Sequence, residues 1–252
     1  MTEYVTSRKN DKVVHMKRLG ADKGYRSRCR EFLCDGDKLL DEALSCGAQI
    51  RTVLSCTQAL PRLPDSVRTI MVPRDLIETV SPLKNPQDVL FSCAMPDALP
   101  VIRPDGAYLI LENVQDPGNV GTVIRSAGAF GIDAVLLAGN CADLYNPKPV
   151  RATMGAVFRK DVLETDLDGL RQLQADGIRI YGAALHTDSR DIRSADLRGA
   201  AIAVGSEGRG LSPALLELCD GHVVIPMRPE CESLNAAVAA SILMWEMRRS
   251  TL

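Results

Sequence analysis

Apolar positions along this chain fall into short runs separated by segments of helical period. Residues 32–36 read as a strand ending in a turn. Residues 37–47 follow as a helix, with Leu39, Leu40, Ala43 and Leu44 on one face and Gly47 placed to stop it. Segments 51–56, 68–73 and 88–95 read as strands and 74–83 as a short helix, together a compact α/β module. Three prolines and a glycine within 96–106 mark a linker, so a first domain is expected over 1–103 and a second over 104–252.

In the second part the units are longer. Strands are expected at 107–114, 134–139, near 156–163, and at 178–185, 200–205 and 222–227. Helices are expected at 119–130, near 148–154, and at 166–177 and 233–249. The run 200–205 is apolar throughout, as a strand buried on both faces must be. Alternation of this kind predicts a parallel sheet with helices on both faces. The last helix is Ala-rich and apolar around most of its circumference until its basic end, which points to burial in a core or a subunit interface.

Composition narrows this picture. The N-terminus lacks an apolar signal region, and no stretch approaches the roughly 20 apolar residues that span a bilayer. A cytoplasmic protein without membrane contact is therefore expected. None of the eight cysteines forms a C-x-x-C pair and the three histidines do not cluster near them, so neither a metal nor a disulfide framework is implied. The net charge of −2 is unevenly spread: residues 1–30 carry +6 and the rest −8. Such a segment reads either as a nucleic-acid phosphate contact, with Arg26, Arg28 and Arg30 as candidates and Tyr25 among them for a stacking contact, or as a solvated, frayed terminus.

Three blocks carry candidate chemistry, each where a strand ends, which is where open α/β sheets bind ligands. The first, Asn113 to Arg125, runs through a Pro-Gly turn into a helix; Asn119 suits an N-cap there and Arg125 a surface ion pair, or both belong to a site. Its glycine spacing is not the dinucleotide fingerprint, which disfavours a dehydrogenase. The second, Gly205 to Ser212, has three glycines in a loop that also carries Glu207 and Arg209, side chains that a turn does not need. The third joins Ile225-Pro226-Met227 to Glu232-Ser233-Leu234-Asn235, where Ser233 or Asn235 caps the last helix or holds a polar ligand.

In this order the blocks N-V-Q-D-P-G-N-V-G-T-V-I-R (113–125), G-S-E-G-R-G-L-S (205–212), and I-P-M (225–227) with S-L-N-A-A-V-A-A (233–240) resemble the motifs of the SpoU (TrmH) family of RNA ribose 2′-O-methyltransferases, in the SPOUT superfamily. The segment 32–44 resembles the strand–Gly–helix of that family's ribosomal-protein-like substrate-binding domain, with Cys34-Asp35 where Val-Glu is usual; Ala236 likewise replaces a usual Val. The resemblance implies an α/β, parallel-sheet catalytic domain with a deep C-terminal trefoil knot, preceded by a small α/β RNA-binding domain. It implies S-adenosylmethionine held at Gly205, Ile225, Met227 and Leu234, and a homodimer formed through the catalytic domain. It implies catalytic positions at Arg125, Asn119, Glu207, Ser233 and Asn235. Arg125 would lie at the ribose hydroxyl, as general base or, since a guanidinium stays charged, as a stabiliser of phosphate and developing alkoxide. Large-subunit ribosomal RNA is the favoured substrate because of the N-terminal module. Transfer RNA, an antibiotic-resistance role in methylating ribosomal RNA, and a non-catalytic RNA-binding assembly factor are the alternatives.

Overall fold

In the computed structural model, which describes residues 3–96, 101–231 and 233–251, the chain divides into two compact units. One comprises Met1–Asp97 with Asp143–Arg159, the other Ala98–Ala142 with Lys160–Leu252. Residues 97–100 of the expected linker, and Glu232 of the third block, lie outside the described residues.

The first unit begins with β1 (Glu3–Tyr4), α1 (Asp11–Ala21) and α2 (Lys23–Cys29). It continues through β2 (Glu31–Asp35), α3 (Asp37–Ser45), β3 (Ile50–Ser55), β4 (Arg68–Met71), α4 (Arg74–Val80) and β5 (Val89–Ala94). Its sheet runs β1-β4-β3-β5-β2, with β5 antiparallel to both neighbours and the other pairs parallel. The basic N-terminal segment is folded rather than frayed. Asn10 caps α1, its side-chain oxygen accepting from the Lys12 N–H at 2.9 Å, and Val13, Met16 and Leu19 bury one face against Leu33, Leu54 and Leu90. That arrangement leaves Lys17 and Arg18 on the exposed side.

The second unit opens with β6 (Tyr108–Glu112), α5 (Pro117–Ala129) and β7 (Ala134–Ala138). The chain then contributes α6 (Pro147–Ala152) and a 3-10 turn at Ala156–Phe158 to the first unit. The strand expected near 156–163 is therefore displaced: β8 occupies Asp161–Thr165. The reason is local. Met154 and Gly155 both adopt left-handed backbone (φ 49° and 90°), and the turn they start packs Phe158 against Phe32 and Phe91, with ring centroids 6.2 and 6.4 Å apart.

The second unit resumes after β8 with α7 (Leu167–Ala175), β9 (Arg179–Ala183), β10 (Arg190–Asp191), β11 (Ala200–Val204), α8 (Pro213–Leu218), β12 (Gly221–Val224) and α9 (Ala236–Arg248). All its strand pairs are parallel, in the order β10-β12-β9-β11-β6-β7-β8. From β6 the chain steps outward to β7 and β8, then crosses to β9 beyond β11, so the direction of winding reverses between β6 and β11. Every residue of both strands is buried, as the continuous apolar run required. Among the described residues no helix is long and apolar enough to cross a membrane.

Candidate active site

The site grows from the carboxyl ends of β6, β9, β11 and β12. Asp116, not Asn119, caps α5: its Oδ1 accepts from the Asn119 N–H at 2.8 Å, and Pro117 fills the first turn. The helix thus starts two residues earlier than the sequence suggested, which frees the Asn119 side chain. Its Nδ2 donates to Glu207 Oε1, and its Oδ1 accepts from Asn235 Nδ2 at 3.1 Å. Asn235 also caps α9, its own Oδ1 accepting from the Ala237 and Val238 N–H groups at 3.0 and 3.2 Å. Asn119, Glu207 and Asn235, up to 116 residues apart in sequence, thereby form one hydrogen-bonded chain.

The loop that carries Glu207 is tightly built. The buried Glu112 at the end of β6 accepts from the Ser212 N–H (2.7 Å) and the Ser212 hydroxyl (2.6 Å), fastening the loop's far end. The Gly210 N–H donates to the Ser206 carbonyl at 2.8 Å, and a Cβ on Gly205 would collide with the backbone of Gly210 and Leu211. Only glycine fits at 205.

A cavity of about 400 Å³ opens beside this loop. Gly205, Ile225, Met227, Leu234 and Ser233 all line it, as does Glu207. Arg125 is exposed on α5 and, among the described residues, has no hydrogen-bond or ion-pair partner, so the surface ion pair is not made.

The N-terminal candidates fare differently. Arg26 is corrected: it is 2% exposed, donates to the Leu19 carbonyl at 2.7 Å and pairs with Asp143 at 2.5 Å, so it holds the first unit together and is not presented to a ligand. Tyr25 is partly committed as well, its hydroxyl hydrogen-bonded to His15 Nδ1 at 2.9 Å and its ring covered by the Arg18 guanidinium at 3.9 Å. Arg28 is exposed. Arg30, also exposed, donates to the Pro96 carbonyl.

One cluster escaped the sequence reading. His186, Asp188 and His222 bring potential ligand atoms within 4.8 Å of one another. Both Nδ1 atoms face the same Asp188 oxygen, at 2.5 and 3.0 Å, and this holds the carboxyl below its ordinary range, the His186 hydrogen bond contributing most. Only the fold reveals it, since His186 and His222 sit on separate strand ends.

The chain belongs to the SpoU rRNA methylase family, whose model matches residues 106–245, while residues 10–90 match the MRM3-like substrate binding domain. It is 35% identical to the 23S rRNA (guanosine(2553)-2'-O)-methyltransferase RlmP of Bacillus subtilis (strain 168), over 98% of this chain and 99% of that one. Its structure is similar to that of an AdoMet-bound rRNA methyltransferase from Sinorhizobium meliloti (TM-score 0.88, 28% identity, covering 100% of this chain and 99% of that one). It is also similar to the SpoU methyltransferase AviRb from Streptomyces viridochromogenes in complex with AdoMet (TM-score 0.83, 30% identity, covering 96% and 98%).

Proposed function

We propose that this protein transfers a methyl group from S-adenosylmethionine to a ribose 2′-hydroxyl of large-subunit ribosomal RNA, in the cytoplasm. The observation that carries the reading is one cavity lined by Gly205, Ile225, Met227 and Leu234 whose wall bears Glu207, itself bonded to Asn119. The cavity fits the cofactor: its volume lies in the range of small-molecule sites, roughly 300–1,000 Å³. Val204, Leu216, Val223 and Ala236 give it apolar walls for an adenine ring and a thioether carbon chain, and Ser206 and Ser233 supply hydroxyls.

When bound, the cofactor supplies an electrophilic methyl on a sulfonium. The ribose oxygen bonds to the methyl as the methyl–sulfur bond breaks and leaves a neutral thioether, its proton passes to solvent water, and a charged group that meets the developing alkoxide lowers the barrier. Arg125 takes that role, because its guanidinium stays protonated and has no partner among the described residues. Asn119 and Asn235 position Glu207, and Ser233 shapes the cofactor pocket. Residues 104–252, apart from the segment 143–159 that belongs to the first unit, form the catalytic domain, closed by a trefoil knot and paired with a second copy, and residues 1–103 carry RNA recognition, with Arg28 on the exposed face.

The test is methyl transfer from radiolabelled cofactor to unmodified ribosomal RNA and unmodified transfer RNA, offered separately, with the product mapped. Label as a 2′-O-methyl nucleotide at one ribosomal position is the expected result. Label confined to transfer RNA would overturn the substrate, and absence of both label and cofactor binding would overturn the activity.

A further inference from the structure

The loop Ser206–Leu211 is a wall shared by two cavities. The second, of about 700 Å³, lies at the carboxyl ends of β6, β7 and β11 and is lined by Asn113, Gln115, Asn140, Ser212 and Pro213 besides the loop itself, which contributes Arg209. That is where the winding of the sheet reverses, between β6 and β11. A crevice at such a point, outside the strand ends, is the general ligand position of open α/β sheets.

We infer that this second cavity receives the nucleotide to be methylated, turned out of the RNA stack, with its base read by the side-chain amides of Gln115 and Asn140. The inference rests on the methyltransferase reading above. Its chemistry comes from the lining. Three neutral amides meet there, and each offers donors and acceptors on a short arm, which suits the mixed donor and acceptor edge of a nucleobase. Gln115 and Asn140 are exposed, and their amide groups make no hydrogen bond among the described residues. The floor is preformed. Asn113 is held in left-handed backbone (φ 57°) with its Oδ1 accepting from the Asn140 N–H at 2.9 Å, and Glu112 clamps Ser212. A phosphate has one cation to meet: Arg209 is exposed and without a partner among the described residues, while the Glu207 carboxylate is turned to the Asn119 amide. Sequence-specific RNA recognition targets unstacked nucleotides, splayed out so that their base edges can be hydrogen-bonded. The shared wall then puts the ribose beside Glu207, at the partition from the cofactor cavity.

Two measurements test this. In the first, unmodified ribosomal RNA is methylated by the wild type and by the Gln115→Ala/Asn140→Ala double variant. The expected result is a fall in kcat/KM of tenfold or more, with weaker discrimination when the mapped target base is replaced and an unchanged cofactor Kd. Wild-type kcat/KM and discrimination in the double variant would overturn the inference. The second does not depend on activity. Isotope-labelled full-length protein is titrated with the four nucleoside 5′-monophosphates to millimolar concentration. The side-chain amide signals of Gln115 and Asn140, assigned by their loss in the single alanine variants, are expected to shift with at least one nucleotide; no shift with any of the four would overturn the pocket. Shifts without methyl transfer would uphold the pocket and defeat the ribosomal RNA reading, whereas methyl transfer with no shifts and an unaffected double variant would do the reverse.

Discussion

Asn235 donates its amide N–H to Asn119 Oδ1 across 3.1 Å, and α9 sets the direction of that bond. Because Asn235 Oδ1 is committed to two N–H groups at the helix N-terminus, its NH2 must point outward. Asn119 must then turn its oxygen toward Asn235 and its NH2 toward Glu207. A helix cap thus fixes the orientation of a carboxylate more than two dozen residues earlier in the chain.

Asn235→Asp separates the two roles. The carboxylate still caps α9 but has no N–H for Asn119, and either orientation of the Asn119 amide then sets two oxygens against each other. Methyl transfer is expected to fall about 10²-fold, the typical cost of a small misplacement, while Tm stays near wild type. Asn235→Ala should lose the cap as well, about 1 kcal/mol of stability. Thermal melts and single-turnover assays on both variants check this, and a fully active Asn235→Asp would remove the relay from the mechanism.

Arg125→Lys should be nearly inactive, with kcat lower by about 10²–10³, because a compact ammonium cannot reproduce the planar fork. Arg125 is exposed and makes no bond among the described residues, so the change should alter stability by less than about 0.5 kcal/mol. Cofactor affinity, measured by calorimetry, should stay the same. Activity close to wild type would sink the assignment.

The central strands of the second unit, β6, β7 and β11, were legible in the sequence because they are buried throughout and read as unbroken apolar runs, as in 200–204. Of the motif residues, Gly205, Glu207, Ile225, Met227, Ser233 and Leu234 line one cavity, whereas Arg125, Asn119 and Asn235 are not part of its lining. Two things were not legible. The segment 143–159 alternates like any other piece of the second domain, yet its aromatic residues Tyr145 and Phe158 pack with Phe32 of the first unit, and such a partner is invisible to local periodicity. Arg26 looked the same as Arg28 and Arg30, because charge counts carry no information about burial. The Asp116-Pro117 pair, by contrast, was a readable start signal, and it would have placed the cap of α5 correctly and freed Asn119.

Arg26 and Arg28, two residues apart, should therefore behave in opposite ways. Arg26→Ala removes the cation that faces Asp143 Oδ2 and the donor to the Leu19 carbonyl, leaving Asp143 with the Tyr145 N–H on its other oxygen, and the first unit should lose about 3 kcal/mol or more. Arg28→Ala should leave Tm unchanged and weaken RNA binding, lowering the slope of log K against log salt by about one phosphate contact. Denaturant melts and binding titrations at several salt concentrations distinguish them. Equal melts for the two variants would contradict the burial argument.

Cys219 offers a check on the packing of α8 against the sheet. Its thiol donates to the Leu215 carbonyl at 3.1 Å, and burial, with Asp220 and Glu112 nearby, pushes it up to about 12. A thiol raised above its unfolded value, near 8.5, binds its proton more tightly in the folded state. The stability linked to it is complete below that unfolded value and is lost as pH rises through about 12. Alkylation at mildly alkaline pH should accordingly reach the exposed Cys231 well before Cys219, with mass mapping to report the order. Cys219→Ala should also flatten the fall in stability across that alkaline window, relative to wild type. Early labelling of Cys219 would mean that α8 opens far more readily than its packing on the sheet allows.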